Sequence, residues 1–226
     1  MKIKILYEDN HLIAVFKPAG VLTQGDRTKD VNLMDEVKKY LKEKYQKPGN
    51  VFLGLLHRLD RPASGIILFA KTSKGASRLS EQFRNHQIEK TYHAIVLGKP
   101  KQNSGVLIDY IEKDKKKKKA EIKKEGKPAK LFYEVISSND KYSLLKIKIE
   151  TGRFHQIRAQ LSSAGYPILG DVKYGAPFPL LDKSIALCAT SLSFQTAATK
   201  EKKEISIPIP AEWKRYVKII NQNQKD

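Results

Sequence analysis

The 226-residue chain contains a single cysteine and no long run of apolar residues. One cysteine excludes a disulfide framework, and Cys188 lies in an apolar stretch where we expect a buried side chain rather than a catalytic thiol. A membrane helix needs about 18 consecutive apolar residues. Near the N-terminus, Glu8 and Asp9 stand where a signal peptide would be apolar. These absences predict a cytoplasmic protein without a membrane-spanning segment.

Acidic residues are scarce relative to basic ones, with 24 Asp and Glu against 43 Lys and Arg and a formal net charge of +19. This excess favours a polyanionic partner, with nucleic acid before an anionic membrane. The basic stretches do not clearly show the amphipathic pattern of a membrane-surface helix. The sequence also lacks the glycine-rich motifs of nucleotide-binding loops and has no zinc-like spacing of His and Cys, so we expect no metal and no nucleotide cofactor.

One segment, residues 113–130, differs in composition from the rest of the chain. It contains ten lysines against Asp114, Glu121 and Glu125, which gives it a net charge of +7, and Lys115 to Lys119 is an unbroken run. Because like charges at this density repel one another, we expect an extended hairpin or a mobile loop. A solvated face without a partner is the alternative. The remaining residues still carry +12, so the basic character does not depend on this segment.

The pattern of apolar residues predicts short strands with helices dispersed among them. Asn32 is expected to cap the first helix. The predicted strands cover 4–7, 12–16, 55–56, 66–70, 90–97, 131–135, 143–149, 185–190 and 191–195, and the later helices cover 73–86, about 154–164 and 213–220. Since strands and helices do not alternate strictly, we expect an α+β fold, a single domain over residues 1–226 around a mixed, largely antiparallel sheet flanked by helices and loops.

Polar residues stand between two apolar stretches that should form buried strands. They are His57, Arg58, Asp60, Arg61 and Ser64. A carboxylate flanked by two arginines, held at a turn on a rigid scaffold, is typical of a catalytic site. An ordinary charged turn with a structural ion pair is the alternative.

A second polar segment opens a helix directly after a predicted strand. Arg153, His155, Gln156 and Arg158 are strong hydrogen-bond donors, and the helix N-terminus adds its own partial positive charge. Arg158 lies a little more than one turn beyond Arg153, so the two side chains can be directed at different groups. The alternative is the start of an exposed amphipathic helix.

The segment His57–Gly65 resembles the H-R-L-D-x-x-(T/A)-S-G signature of the RluA-type pseudouridine synthases. Three further segments agree in order and spacing: Lys90–Ala94, Gly152–Arg158 and Gly170–Gly175. The resemblance extends from about residue 3 to residue 195 and implies the pseudouridine synthase catalytic fold. The chain departs from the family in having Gln160 in place of a histidine. From the resemblance we also expect the catalytic domain only, without an N-terminal RNA-binding domain. We further expect residues 113–130 to be a variable insertion.

The resemblance implies an enzyme that detaches uracil from its ribose, rotates the base and rejoins it through C5 without a cofactor. It makes Asp60 the catalytic carboxylate, Arg158 the arginine that pairs with it, and Tyr92 the aromatic ring that stacks on the uracil. Arg58 matches the residue that fills the space left by the flipped-out uridine. Further contacts with the RNA are expected from His57, Arg61, Ser64, Arg153, His155 and Gln156.

The substrate implied by the resemblance is a stem-loop of tRNA or rRNA, and the protein is expected to act as a monomer. A non-catalytic RNA-binding or ribosome-assembly protein is the alternative, but such a protein has no need of Asp60, Tyr92 and Arg158 together. A DNA-binding architectural protein would explain the charge and leave the carboxylate turn without a purpose.

Overall fold

A computed structural model describes residues 1–218. These residues form eleven strands, three α-helices and two short 3-10 helices. The elements are β1 (Lys4–Glu8), β2 (Leu12–Lys17), α1 (Leu33–Lys44), β3 (Gly54–Leu55), β4 (Ser64–Ala70), α2 (Ser73–Arg84), β5 (Glu89–Leu97), β6 (Ser104–Asp114), β7 (Lys119–Ile122), β8 (Lys127–Ser138), β9 (Tyr142–Ile149), α3 (Gln156–Ser163), β10 (Leu187–Gln195), β11 (Lys202–Ser206) and the 3-10 helices Val172–Tyr174 and Ala211–Arg215. Over residues 1–218, no helix is both long and apolar enough to cross a bilayer.

The chain divides into two compact units. The first contains Met1–Lys90 and Ala189–Ile207, and the second contains Thr91–Cys188 and, of the described residues, 208–218. The predicted α+β fold class, with largely antiparallel strands flanked by helices, is confirmed. The expectation of a single domain over residues 1–226 stays a prediction.

In the first unit the strand order is β1-β2-β4-β10, with β3 beside β4 and β11 beside β10. Strands β2 and β4 are almost continuous apolar runs and are buried on both faces, as expected for central strands. Helix α1 begins at Asn32, whose side chain accepts a hydrogen bond from the N–H of Asp35, which confirms the predicted cap. Helix α2 packs Leu79 into a core that also contains Leu68 and Phe194.

In the second unit the strand order is β5-β9-β8-β6-β7, and the strands pair in antiparallel fashion. Along β6 the side chains of Leu107, Asp109 and Ile111 point to the more buried face. Ile111 joins Ala120 of β7, Ala129 of β8 and Ala159 of α3 in a small core. Helix α3 therefore lies against the end of the sheet that carries the lysine-rich segment.

The lysine-rich segment 113–130 contains the end of β6, the whole of β7 and the start of β8, and in the sheet β6 lies between β7 and β8. Acidic side chains neutralise part of its charge, since the Nζ of Lys117 lies 3.0 Å from Glu121 and the Nζ of Lys123 lies 3.2 Å from Glu112. The side chains of Lys115 and Lys116 are exposed at the turn between β6 and β7. The segment thus presents a lysine turn, residues 115–118, on an ordered hairpin; its status as a variable insertion stays a prediction.

Several predicted boundaries change in the structure. The predicted strands 185–190 and 191–195 form one continuous strand, β10, and the strand predicted at 55–56 lies one residue earlier, at Gly54–Leu55. Strands β6 and β11 were not predicted from the sequence. The terminal helix predicted over 213–220 is a 3-10 helix at Ala211–Arg215, and residues 219–220 lie outside the described part of the chain.

Candidate active site

The predicted carboxylate, Asp60, lies on a tight turn immediately before β4. Its carbonyl oxygen accepts a hydrogen bond from the N–H of Ala63 at 3.1 Å. The preceding residue, Leu59, is fixed by Thr23, whose hydroxyl donates to the Leu59 carbonyl at 3.0 Å and accepts from the Leu59 N–H at 3.2 Å. The Asp60 side chain is half-buried. The turn therefore holds the carboxylate on a fixed backbone while leaving part of it accessible.

A buried lysine stabilises this turn through hydrogen bonds to backbone carbonyl groups. The Lys17 side chain is 0% exposed, and its ammonium group donates to the carbonyl oxygens of Val21 at 2.7 Å, Pro18 at 3.0 Å and Arg61 at 3.1 Å. Burial lowers the pKa of Lys17 to about 8, and the negative charge of Asp60 acts in the opposite direction. Lys17 thus joins the end of β2 to the residue that follows Asp60.

The two arginines of the turn have different surroundings. The Nε of Arg61 donates to the Gly20 carbonyl at 2.9 Å, and one of its terminal nitrogens lies 2.8 Å from Asp30. Arg58 is exposed, and Ser64 is half-buried at the first position of β4. Arg61 is therefore engaged with the loop that follows β2, whereas Arg58 is directed toward solvent. Contacts of these residues with RNA stay predictions.

The histidine of the turn serves as a hydrogen-bond acceptor for the neighbouring strand. The Nε2 atom of His57 accepts from the N–H of Leu68 at 2.9 Å, and its ring packs on Phe83 with centroids 5.2 Å apart. Burial lowers the pKa of His57 to about 3, and the nearby positive charge of Lys90 contributes to this shift. His57 is thus a neutral imidazole that carries its proton on Nδ1.

This arrangement predicts a measurable acid sensitivity. Because the pKa of His57 falls from 6.5 to about 3 on folding, the unfolded chain binds the proton more tightly, and stability is lost as the pH falls below 6.5. At pH 5 the expected loss from this group is about 2 kcal/mol. Urea unfolding at pH 7.5 and pH 5 should show a smaller difference for His57→Gln, which keeps an acceptor and does not titrate. An equal pH response of the two proteins would contradict the assignment.

In the second unit, Arg158 makes a buried ion pair with an aspartate that the sequence analysis had placed in a motif without giving it a role. Its Nε and one terminal nitrogen lie 2.7 and 2.8 Å from the two carboxylate oxygens of Asp171. Arg158 is 5% exposed and Asp171 is 1% exposed. Such a two-point contact fixes the plane of the guanidinium. The face of that guanidinium lies over the Tyr174 ring, with Cζ 4.8 Å from the centroid.

Tyr92 lies in β5, opposite Ile147 of β9, and is 8% exposed. The same strand positions Asp171, because the Leu169 N–H donates to the Ile95 carbonyl at 2.9 Å just before the Asp171 turn. Strand β5 therefore provides a common framework for Tyr92 and for the partner of Arg158.

The other predicted residues of this segment are engaged within the protein. The Gln156 side-chain oxygen accepts from the Thr151 hydroxyl at 2.8 Å and the Arg153 N–H at 3.0 Å, so it fastens the start of α3. The Nε of Arg153 donates to the Pro128 carbonyl at 2.9 Å. The Nδ1 atom of His155 lies 2.9 Å from the Tyr174 hydroxyl. Their contribution to RNA binding stays a prediction.

Gln160, the residue that departs from the family pattern, also has a role in the fold. Its amide nitrogen donates to the side chain of Asp109 at 2.8 Å and to the Leu107 carbonyl at 3.1 Å. It is almost fully buried. Gln160 therefore ties α3 to β6, and this contact accounts for a polar side chain inside the helix.

Comparison with known proteins identifies the family. The family model described as RNA pseudouridylate synthase matches residues 11–163, which is more than half of the chain. The chain belongs to this family. It is therefore a pseudouridine synthase, an isomerase that converts uridine to pseudouridine in RNA. The resemblance of its motifs to RluA-type enzymes is confirmed.

Two relatives illustrate the extent of the similarity. The pseudouridine synthase is 32% identical over 225 residues to the ribosomal large subunit pseudouridine synthase C of Buchnera aphidicola subsp. Schizaphis graminum, with 94% of this chain and 69% of the relative covered. It is 37% identical over 191 residues to the tRNA pseudouridine synthase C of Yersinia pestis, with 76% of this chain and 70% of the relative covered.

A solved structure agrees with this assignment. The human RNA pseudouridylate synthase domain containing 4 is 26% identical, with a TM-score of 0.76 over 93% of this chain and 90% of that chain. The human RNA pseudouridylate synthase domain containing 1, at 22% identity and a TM-score of 0.71, shows the same fold.

Proposed function

We propose that the protein isomerises specific uridines in tRNA or rRNA, with Asp60 as the catalytic carboxylate. The observation that carries this proposal is the signature aspartate on a turn fixed by Thr23 and Lys17, in a chain of the pseudouridylate synthase family. The relatives named for tRNA and for ribosomal RNA support both substrate classes equally. A monomer that acts in the cytoplasm belongs to the same proposal.

The reaction needs no atoms from outside the substrate. The bond between uracil N1 and ribose C1′ breaks, the base rotates, and a bond forms between C5 and C1′. The proton leaves C5 and N1 gains one, so no oxidant or reductant is required. Asp60 acts in its ionised form, because only a carboxylate can attack the sugar, attack the ring or remove the ribose 2′ proton. These three steps remain the alternatives for its chemical role.

Arg158 and Tyr92 complete the proposed catalytic set. An arginine beside a carboxylate favours the charged form of that carboxylate and orients it, and Arg158 has its guanidinium plane already set by Asp171. Tyr92 is proposed to stack on the uracil, because a π face tolerates rotation of the base better than directional hydrogen bonds do. The Tyr92 hydroxyl is also proposed as a candidate acceptor for the proton that leaves C5.

The decisive experiment is to map pseudouridines in RNA from cells with and without this protein. We expect one or a few positions to lose the modification when the protein is absent, and purified protein to release tritium from RNA that contains 5-³H-uridine. RNA binding without tritium release, together with an unchanged map, would instead support a non-catalytic RNA-binding protein.

Arg58 is proposed to fill the space that the flipped-out uridine leaves. Extruding a base from folded RNA costs a few kcal/mol, and a side chain in the vacated space offsets part of this cost. Arg58→Ala should therefore lower turnover on a stem-loop about tenfold and affect an unstructured oligonucleotide less. Arg27→Ala is the control, since Arg27 is also an exposed arginine of the first unit. Unchanged binding and turnover of the stem-loop by Arg58→Ala would refute this role.

The lysine turn, residues 115–118, is proposed to hold RNA phosphates without reading sequence. Each phosphate contact that is lost should reduce the slope of log K against log salt by about 0.7 to 0.9. We expect Lys115→Ser with Lys116→Ser to weaken RNA binding and lower this slope, while the preference among uridines stays the same. The matched control neutralises Lys39 and Lys42, which are exposed on α1. An unchanged slope in the turn variant would contradict the proposal.

A further inference from the structure

Tyr174 occupies the junction between the lysine-rich hairpin and α3. It is 3% exposed and belongs to the small core that Ile111, Ala120, Ala129 and Ala159 form. Strands β6, β7 and β8 and the helix that carries Arg158 thus each contribute a side chain to the core that contains this ring. The motif Gly170–Gly175 contains Tyr174, but the proposed chemistry gives this residue no task.

The hydroxyl of Tyr174 binds the hairpin on one side and the start of α3 on the other. It accepts a hydrogen bond from the N–H of Ala120 in β7 at 2.7 Å and lies 2.9 Å from the Nδ1 of His155. A second hydrogen bond joins the hairpin to the Tyr174 segment, since the Nζ of Lys173 donates to the Lys118 carbonyl at 3.1 Å. A shift of β7 would therefore be transmitted to the phenol.

The ring of Tyr174 contacts two cations. The Cζ of Arg158 lies 4.8 Å from its centroid, and the Nζ of Lys119 lies 5.0 Å from the same centroid. Arg158 is held in its plane by Asp171 and across its face by this ring. A guanidinium in a buried setting is attracted to the face of an aromatic ring, so this contact favours one orientation of the Arg158 side chain.

The residue at the start of α3 is held in an unfavourable backbone conformation. His155 has φ +50°, in the left-handed region that residues other than glycine rarely adopt. Its ring stacks on Phe154 with centroids 3.8 Å apart, and the Nζ of Lys113 lies 4.5 Å from the Phe154 centroid. These contacts help to fix the backbone conformation of His155. The hairpin therefore supports the first turn of α3 through Lys113 as well as through Tyr174.

We propose that Tyr174 is a positioning residue that couples the lysine-rich hairpin to Arg158, so that RNA bound at the hairpin sets the orientation of the arginine. This inference rests on the proposed catalytic role of Arg158. RNA phosphates bound to Lys115 and Lys116 would fix the turn, and β7 would pass that restraint through the Tyr174 hydroxyl to the guanidinium. The hairpin then contributes to the rate of the reaction in addition to affinity.

The test is Tyr174→Phe, which keeps the ring and removes the hydroxyl. We expect the single-turnover rate of tritium release to fall about tenfold, the effect of one lost hydrogen bond of about 1.4 kcal/mol, with RNA affinity changed less than about twofold. Tyr166→Phe is the matched control, because the Tyr166 hydroxyl also accepts from a backbone N–H, that of Lys101 at 3.3 Å. Equal rates in the two variants would overturn the proposal.

A double-mutant cycle separates coupling from simple loss of stability. In the unmodified protein, Lys115→Ser with Lys116→Ser should lower the single-turnover rate and weaken RNA binding. In the Tyr174→Phe background the same change should weaken binding only, because the path to Arg158 is already broken. Additive effects on the rate would show that the hairpin acts on affinity alone and would refute the coupling.

A second pair of variants covers the case in which Tyr174→Phe does not fold. Lys119→Met removes the cation from the Tyr174 ring, and Lys39→Met removes the same charge from the exposed face of α1. The proposal requires a slower single turnover in Lys119→Met than in Lys39→Met at saturating RNA, and equal rates would overturn it. Absence of tritium release from the unmodified protein would refute the proposed function itself, which is a different outcome from an active protein without coupling.

Discussion

Replacement of Asp60 by asparagine is expected to abolish pseudouridine formation, with a fall in the rate of roughly four orders of magnitude or more, because the amide can neither attack nor accept a proton. The side chain keeps its volume and the turn keeps its hydrogen bonds through the backbone of Leu59, Asp60 and Arg61. RNA affinity should therefore change less than about twofold. Tritium release at saturating RNA measures the first quantity, and filter binding measures the second.

The control for this experiment is Asp30→Asn, which removes another carboxylate of the first unit. Asp30 forms an exposed pair with Arg61. It should leave the rate of tritium release within about twofold, since exposed pairs contribute about 1 kcal/mol or less. A residual rate within tenfold of the unmodified protein for Asp60→Asn would mean that another group carries the reaction.

Replacement of Asp171 by asparagine is expected to cost about 3 to 5 kcal/mol of unfolding free energy, because it leaves the buried guanidinium of Arg158 opposite a neutral amide. Both partners are almost completely buried, so water cannot compensate for the lost charge. Urea unfolding at pH 7 measures this loss. Where the variant remains folded, tritium release should also fall, since the orientation of Arg158 depends on two contacts with this carboxylate.

Asp30→Asn serves again for comparison, because it breaks an arginine–aspartate pair whose side chains are 49% and 43% exposed. We expect it to change the unfolding free energy by about 1 kcal/mol or less. A loss below about 1 kcal/mol for Asp171→Asn would show that Arg158 finds equivalent stabilisation elsewhere, and its ion pair would then not be what orients it.

Much of the fold follows from local patterns. The apolar runs of β2 and β4 are long enough and uniform enough to indicate central strands. The polar residues from His57 to Arg61 indicate a turn directly before β4. Helix α3 lies within two residues of its predicted bounds. These elements are set by residues close together in the chain, so the sequence reports them directly.

The remaining features depend on contacts between distant residues. In strand β6 the exposed side chains are those of Val106, Ile108 and Tyr110, and the less exposed ones include Leu107 and Asp109. Because apolar residues lie on both faces of this strand, its sequence does not indicate which face packs against the protein. Strand β11, with the sequence KKEIS, has only one apolar side chain and exists because it pairs with β10.

The candidate site shows the same division. The motifs place Asp60, Tyr92 and Arg158 in the right segments, but the supports of these residues are not local. Lys17 is held by hydrogen bonds to three carbonyl groups, one of them 44 residues away in the chain. A lysine at the end of an apolar strand does not by itself indicate that its side chain is buried. A signal for Asp171 is present, since this acidic residue lies two positions after the apolar pair Ile168 and Leu169.

The turn that carries Asp60 is fastened at both ends, and this limits how it can evolve. At one end Thr23 makes two hydrogen bonds with the backbone of Leu59. At the other, Gly65 has φ +129°, and any side chain there would collide with the backbone of Ala189. An inserted or deleted residue between these points would pull one anchor out of place, whereas the side chain of Pro62 can change without moving either. Sequence variation in this turn is thus restricted to substitutions that keep its length.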